Sequence, residues 1–222
     1  MTDSTVPRRS FLARLAAGSA ALGAAFGGAA ALPSIAGAEP PVDELDTWFG
    51  GMKGANKVIY DCVQPPGAPD GVIFARNIIK FSAEKLGTKD ADMAVIVSFR
   101  HFSTPFGYND AMWAKYPQFA SMLKVEDPGT KKPAARNWLL HELVEGEAGA
   151  NIPGIRGHGV QFAVCGAATA FLAKVIADKT GDAKKIEAEL SANLIPAAKM
   201  MPAGVVAVQR AQKAGFAYTY AG

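Results

Sequence analysis

Three short apolar segments, each followed by a helical one, constrain this chain more than anything else in it. Lys57-Val58-Ile59-Tyr60-Asp61-Cys62-Val63 is β-branched and apolar, the composition of a strand. Ala91 to Phe99 is a second such segment, centred on Met93-Ala94-Val95-Ile96-Val97, and Gly159 to Gly166 is a third. After the first strand the turn residues Gln64 to Gly71 break the pattern. Val72, Ala75, Ile79, Ala83 and Leu86 then fall near one face of a helix that Gly87 stops. After the third strand come a helix over Ala167 to Asp178 closed by Gly181, a helical segment from Ile186 to Leu194, and Leu194 to Met201 leading into Pro202-Ala203-Gly204. A helix over Val205 to Ala214 capped by Gly215 and a last strand from Phe216 to Tyr220 follow. Strands alternating with helices over short loops predict an α/β domain with a mostly parallel sheet and helices on both faces.

Two stretches stand outside that alternation. Residues 39–56 read as a short amphipathic stretch and a flexible lead-in. The glycines at 50, 51 and 54 do not make a phosphate loop, because the GxxxxGK[ST] spacing is missing. Residues 102–157 form a long insert carrying Phe102, Phe106, Tyr108, Trp113, Tyr116, Phe119 and Trp138. Disordered linkers are poor in aromatics, so the insert is expected to fold. Its predicted helices are Asp110 to Phe119 and Arg136 to Glu147, with a polar loop from Lys124 to Pro133.

The N-terminus reads Pro7-Arg8-Arg9-Ser10-Phe11-Leu12, then an Ala- and Gly-rich run that ends in Ala36-Gly37-Ala38. This is the pattern of a twin-arginine export signal with a small-x-small cleavage site. Residues 1–38 are therefore expected to be a signal peptide handled by the twin-arginine translocase, and the remainder a periplasmic protein without a stable membrane anchor. Removing the leader leaves 184 residues with 20 basic against 19 acidic side chains, a net charge of +1. That balance gives no electrostatic footprint for nucleic acid, and the length suits one domain with a sizeable core.

The chemistry-bearing residues are few. Cys165 ends the third strand where a helix begins, and the positive end of a helix dipole favours a thiolate. Gly166 beside it would let a ligand approach the backbone. The alternatives for Cys165 are an inert core thiol and a disulfide with Cys62, the only other cysteine. Ligands of open parallel sheets bind beyond the C-terminal strand ends. Cys62 and His101 lie at such ends, so both are expected to converge with Cys165, His101 as base, thiolate partner or ligand. Cys62 is a resolving thiol or a core residue, Arg100 an anion binder or a solvated strand-end group, and Asp61 a loop anchor. His158 precedes the third strand and is too far along it to join Cys165. His141 and Glu145 would share a helix face, but two ligands are a weak metal signal, and no metal site is assigned. No cofactor fingerprint, Ser-His-Asp arrangement or zinc-type cysteine cluster is visible.

The opening strand and long helix, the strand Gly159-Val160-Gln161-Phe162-Ala163-Val164-Cys165-Gly166, and the closing run from Pro202-Ala203-Gly204 through the last helix to Gly215-Phe216-Ala217-Tyr218 together resemble the DsrE/DsrF-like family. The resemblance covers roughly residues 57–220. It implies a flavodoxin-like three-layer sandwich that assembles as a trimer or hexamer. It also implies sulfur chemistry, since some members relay sulfur as a persulfide on the cysteine that matches Cys165. The chain differs from those relays in its export signal and its aromatic insert, which leaves as the alternative a non-enzymatic oligomeric periplasmic binding protein whose insert forms a pocket or a subunit contact.

Overall fold

The computed structural model describes residues 42–222; the export signal expected over residues 1–38 lies outside the described residues. Five strands form one parallel sheet: β1 (Asn56–Cys62), β2 (Met93–Phe99), β5 (Gln161–Cys165), β6 (Ala198–Met201) and β7 (Ala217–Ala221), in the order β6-β5-β2-β1-β7. A two-residue hairpin in the insert, β3 (Glu126–Asp127) with β4 (Lys132–Pro133), stands apart from this sheet.

The direction in which the chain crosses the sheet decides where the helices go. From β1 through β2 and β5 to β6 the chain steps one way, and α2 (Gly67–Leu86), α6 (Gly166–Thr180) and α7 (Ala183–Ala192) cover one face. From β6 it returns past the other strands to β7, and right-handed crossovers put that connection on the opposite face. There α8 (Gly204–Lys213) packs with α1 (Val42–Gly51). The result is a flavodoxin-like three-layer α/β sandwich of a single domain.

Side chains alternate between the two layers along each strand. Val58, Tyr60, Cys62, Val95, Val97, Phe99, Phe162 and Val164 face α2, α6 and the insert. Ile59, Ala94, Ile96 and Ala163 face α1 and α8. The three central strands are buried on both faces, as their near-continuous apolar runs require.

Several sequence expectations differ from the structure. Residues 42–51, the amphipathic stretch of the lead-in, form a helix that takes in Gly50 and Gly51 of the expected loop, with Leu45 and Phe49 buried beneath it. Helix α2 begins at Gly67, inside the expected turn, because Pro69 falls in the first helical turn where no backbone N–H is needed. Ala198–Met201 is a strand although it holds no β-branched residue; pairing with β5 makes it one. Arg136 to Glu147 is not a helix but two 3-10 turns, Trp138–Leu140 and Val144–Gly146. Tertiary contacts override its helical pattern: Asp110 takes the Asn137 N–H and the His141 ring at 2.7 Å, and Glu145 adopts φ 53°. His141 and Glu145 therefore share no helix face.

The first insert helix also splits, into α3 (Asp110–Lys115) and α4 (Gln118–Leu123), because Pro117 forces Tyr116 out of the helical region. The short α5 (Ile152–Gly157) leads into β5. Phe106, Tyr108, Trp113, Tyr116 and Phe119 are buried in the core. Asn137 pins the segment by donating to the Phe106 and Tyr108 carbonyls, both at 2.8 Å. Among the described residues no helix is long and apolar enough to cross a membrane.

Candidate functional site

A parallel sheet brings all its strand C-termini to one edge, and the chemistry-bearing residues gather there. Cys165 ends β5 and is the N-cap of α6: its Sγ accepts the Ala168 N–H at 3.3 Å. The same sulfur accepts the Gly204 N–H at 3.1 Å, the first residue of α8. The N-cap of α8, Ala203, offers no side-chain acceptor, so a cysteine from another element supplies it. Two helix N-termini thus converge on one sulfur, and their N–H groups place partial positive charge around it. A further bond from Ala167 N–H to the Pro202 carbonyl, 3.0 Å, ties the two helix starts together.

Cys165 is 7% exposed, and the exposure opens into a cavity of about 390 Å3. Arg100, His101, Phe102, Phe171 and Val205 are among its walls. The sequence-predicted Arg100, His101 and Cys165 are thus brought together at the ends of β2 and β5. His101 has φ 56°, a conformation uncommon for non-glycine residues, and its ring lies against Phe102 at 4.1 Å between centroids. The turn that carries it is pinned by Ser103, whose Oγ accepts from Arg100 N–H at 3.0 Å and donates to the Cys62 carbonyl at 2.6 Å.

Arg100 is fixed from below. Its Nε and Nη2 donate to the two carboxylate oxygens of Asp61 at 2.6 and 2.8 Å, and the Tyr218 hydroxyl donates to Asp61 Oδ2 at 3.0 Å. Asp61 is fully buried. The hydrogen bond to Asp61 raises the already high pKa of Arg100, and burial followed by the same carboxylate raises that of Tyr218. The Arg100 stem lies across the first turn of α8. A Cβ at Gly204 would come within 2.3 Å of it, so only glycine fits there. Ser98 stands opposite Asp61 in the ladder, buried, and its hydroxyl has no partner among the described residues.

The remaining residues named from sequence lie elsewhere. Cys62 ends β1 at the same edge, but it faces the α2 layer, whereas Cys165 caps α6 and α8. It is fully buried against Gly71, and burial pushes its thiol pKa well above the ordinary value. Both cysteines are free thiols, so Cys62 neither bridges Cys165 nor joins the cavity. Gly166 faces away from the cavity; a Cβ there would meet the Met201 carbonyl at 2.7 Å. His158 lies at the other end of β5 and pairs with Asp90 at 2.8 Å. Among the described residues no three His, Cys, Asp or Glu side chains gather as metal ligands. A larger cleft of about 500 Å3 opens at the opposite strand ends beside Trp48, Met52 and Gln161, with neither cysteine nor histidine in its lining.

Sequence reasoning missed Tyr218, Phe171, Val205 and Gly204, and treated Asp61 as a loop anchor. The signal for the last was present: an acid inside an otherwise apolar strand demands a partner, and Arg100 ends the next strand.

No family model, no curated protein and no solved structure matches this chain.

Proposed function

We propose that this protein is an exported thiol protein of the DsrE-like kind in which Cys165 accepts and hands on sulfane sulfur. The observation that supports the reading most is the environment of Cys165: one sulfur, two backbone N–H donors from two helix starts, and a cavity large enough for a small molecule. A thiolate held by N–H groups at a helix N-terminus is the form in which cysteine acts as a nucleophile.

The step needs no outside oxidant. The Cys165 thiolate attacks the terminal sulfur of a persulfide R–S–SH; the S–S bond of the donor breaks and that of Cys165–S–SH forms. The thiolate R–S⁻ leaves with the electron pair. A second thiolate then takes the sulfur by the same exchange in reverse. Cys62 plays no part, since it lies fully buried on the α2 layer. Export through the twin-arginine signal and assembly into a homo-oligomer belong to the same proposal.

The test is intact mass spectrometry after incubation with a low-molecular-weight persulfide. The expected result is the gain of one sulfur atom that reduction removes. It should persist in Cys62→Ser and vanish in Cys165→Ser. A protein that gains no sulfur, or gains it equally without Cys165, overturns the reading.

A further inference from the structure

Asp61 is the residue of the site with the least obvious reason to be there. It interrupts an apolar strand, it is 1% exposed, and a buried carboxylate is costly unless fully partnered. Its three hydrogen bonds come from two side chains, Arg100 and Tyr218. An apolar residue would have served the sheet without that cost. What Asp61 does achieve is to hold a guanidinium in one place, gripped side-on through Nε and Nη2. Nη1 lies outside that pair, and arginine always carries its charge. The stem is trapped from above by Gly204. Arg100 is thus a guanidinium fixed in the wall of the cavity that holds Cys165, its charge balanced by the carboxylate beneath it.

Most of the rest of the wall, His101 apart, is of another kind. Phe102, Phe171, Val205, Ala167, Ala168 and Ala203 present apolar surface, and Phe171 and Val205 are more than half exposed at its edge. His101 is the other polar side chain beside Cys165, and Arg100, its charge balanced by Asp61, keeps Nη1 outside that pair for a ligand with one acidic group and an apolar body. A volume of about 390 Å3 suits a small molecule. A bare inorganic sulfur anion would leave the apolar wall unused.

We propose that Arg100 selects the substrate of the Cys165 cavity, and that the substrate class is small organic sulfur compounds bearing a carboxylate or sulfonate on an apolar body. Asp61 and Tyr218 are positioning residues that act through Arg100. This rests on the reading of Cys165 as the reacting thiol.

The experiment uses methanethiosulfonates, which form a mixed disulfide with a thiolate and release methanesulfinate, so the exchange balances without an oxidant. Rates of modification of Cys165 are measured with the anionic 2-sulfonatoethyl and the cationic 2-(trimethylammonium)ethyl reagents. Each is divided by its rate with a free small thiol. The normalised anion-to-cation ratio is expected near tenfold, the size of about one charge-assisted hydrogen bond. Arg100→Gln should bring it to about one and Tyr218→Phe part of the way. Because Arg100→Gln strands the Asp61 charge, the double variant Asp61→Asn/Arg100→Gln is measured beside it, with unmodified Cys62 as the sign of an intact fold. A wild-type ratio near one, or a ratio that neither Arg100 variant changes, overturns the inference while leaving the thiol reading standing. Failure of Cys165 to react with either reagent overturns both. The apolar half is read from benzyl against methyl methanethiosulfonate: a benzyl preference lost in Phe171→Ala supports it, and no preference overturns it.

Discussion

The two cysteines end strands of the same sheet, at the same edge, with one strand between them. Cys62 is sealed on the α2 face with its S–H directed to the Tyr60 carbonyl and its sulfur against Gly71. Cys165 stands where β5 turns into α6, with two N–H groups aimed at its sulfur and a cavity beside it. The residue type is the same, so the difference lies in the position along the strand. Cys62 is followed by Val63 and a turn before its helix starts at Gly67, whereas Cys165 is itself the cap of the following helix. A strand that runs directly into a helix exposes its last side chain to backbone donors; a strand that ends in a turn buries it in the layer below.

The largest expected effect tests that contrast directly. With iodoacetamide under native conditions, Cys165 should be alkylated while Cys62 waits for global opening. At stabilities of about 5–15 kcal/mol the rates should differ by roughly a thousandfold or more. Peptide mapping of the labelled protein decides it, and labelling of both cysteines at similar rates would break the comparison.

A pair of glycines sharpens it. In Gly71→Ala the new methyl would lie 2.3 Å from the Cys62 sulfur in a packed core, and overpacking of this kind costs about 3 kcal/mol. In Gly204→Ala it would meet the Arg100 stem at the same 2.3 Å. The nearest atom there is the Arg100 Cβ, which the backbone holds in place, so the start of α8 must shift and the loss should be of the same order, about 3 kcal/mol, with the Asp61–Arg100 geometry disturbed as well. Urea unfolding of the two variants measures both losses; a loss near zero in Gly204→Ala would mean that the site yields where the core does not.

Burial raises the Cys62 thiol, with the charges of Asp61 and Asp70 adding to it. The folded state therefore favours the neutral thiol, while the unfolded chain ionises near ~8.5. The contribution to stability is complete below that pH and is lost as pH rises above it, with a slope of at most about 1.4 kcal/mol per pH unit. Cys62→Ala should flatten the fall in stability between about pH 8.5 and 10. Tyr60, pushed up to about 12 by burial, adds its own loss at higher pH in both proteins. Parallel curves for the two would show that Cys62 ionises as freely folded as unfolded.

The frame of this site was legible in the residues. The apolar strands, the Gly87 stop and the strand end at Cys165 are local patterns, and local patterns fix which side chains reach the C-terminal edge. Which face each one takes was not legible. It depends on register across the sheet and on the return of the chain to β7, so Cys62 could not be separated from Cys165. The Asp61–Arg100–Tyr218 group spans sequence separations of 39 and 157 residues, beyond any periodicity. The turns at 138–146 failed for the opposite reason: a sound helical pattern lost to contacts with Asp110.

The smallest expected effect separates a hydroxyl that the site uses from one that it does not. Ser98 and Ser103 are both buried, on and just after β2. Ser103 accepts the Arg100 N–H and donates to the Cys62 carbonyl, so it joins the ends of two strands where the cavity begins. The Ser98 hydroxyl lies beside Asp61 in the ladder and has no partner among the described residues. Removing a hydroxyl leaves its partners unsatisfied only where partners exist. Ser103→Ala should therefore lose about 1–2 kcal/mol, and Ser98→Ala should be neutral or gain up to ~1 kcal/mol by shedding a desolvated group. Denaturant midpoints at constant slope measure both. A loss in Ser98→Ala as large as that in Ser103→Ala would mean that the Ser98 hydroxyl is bonded in solution, and its neighbour across the ladder makes Asp61 the group to examine.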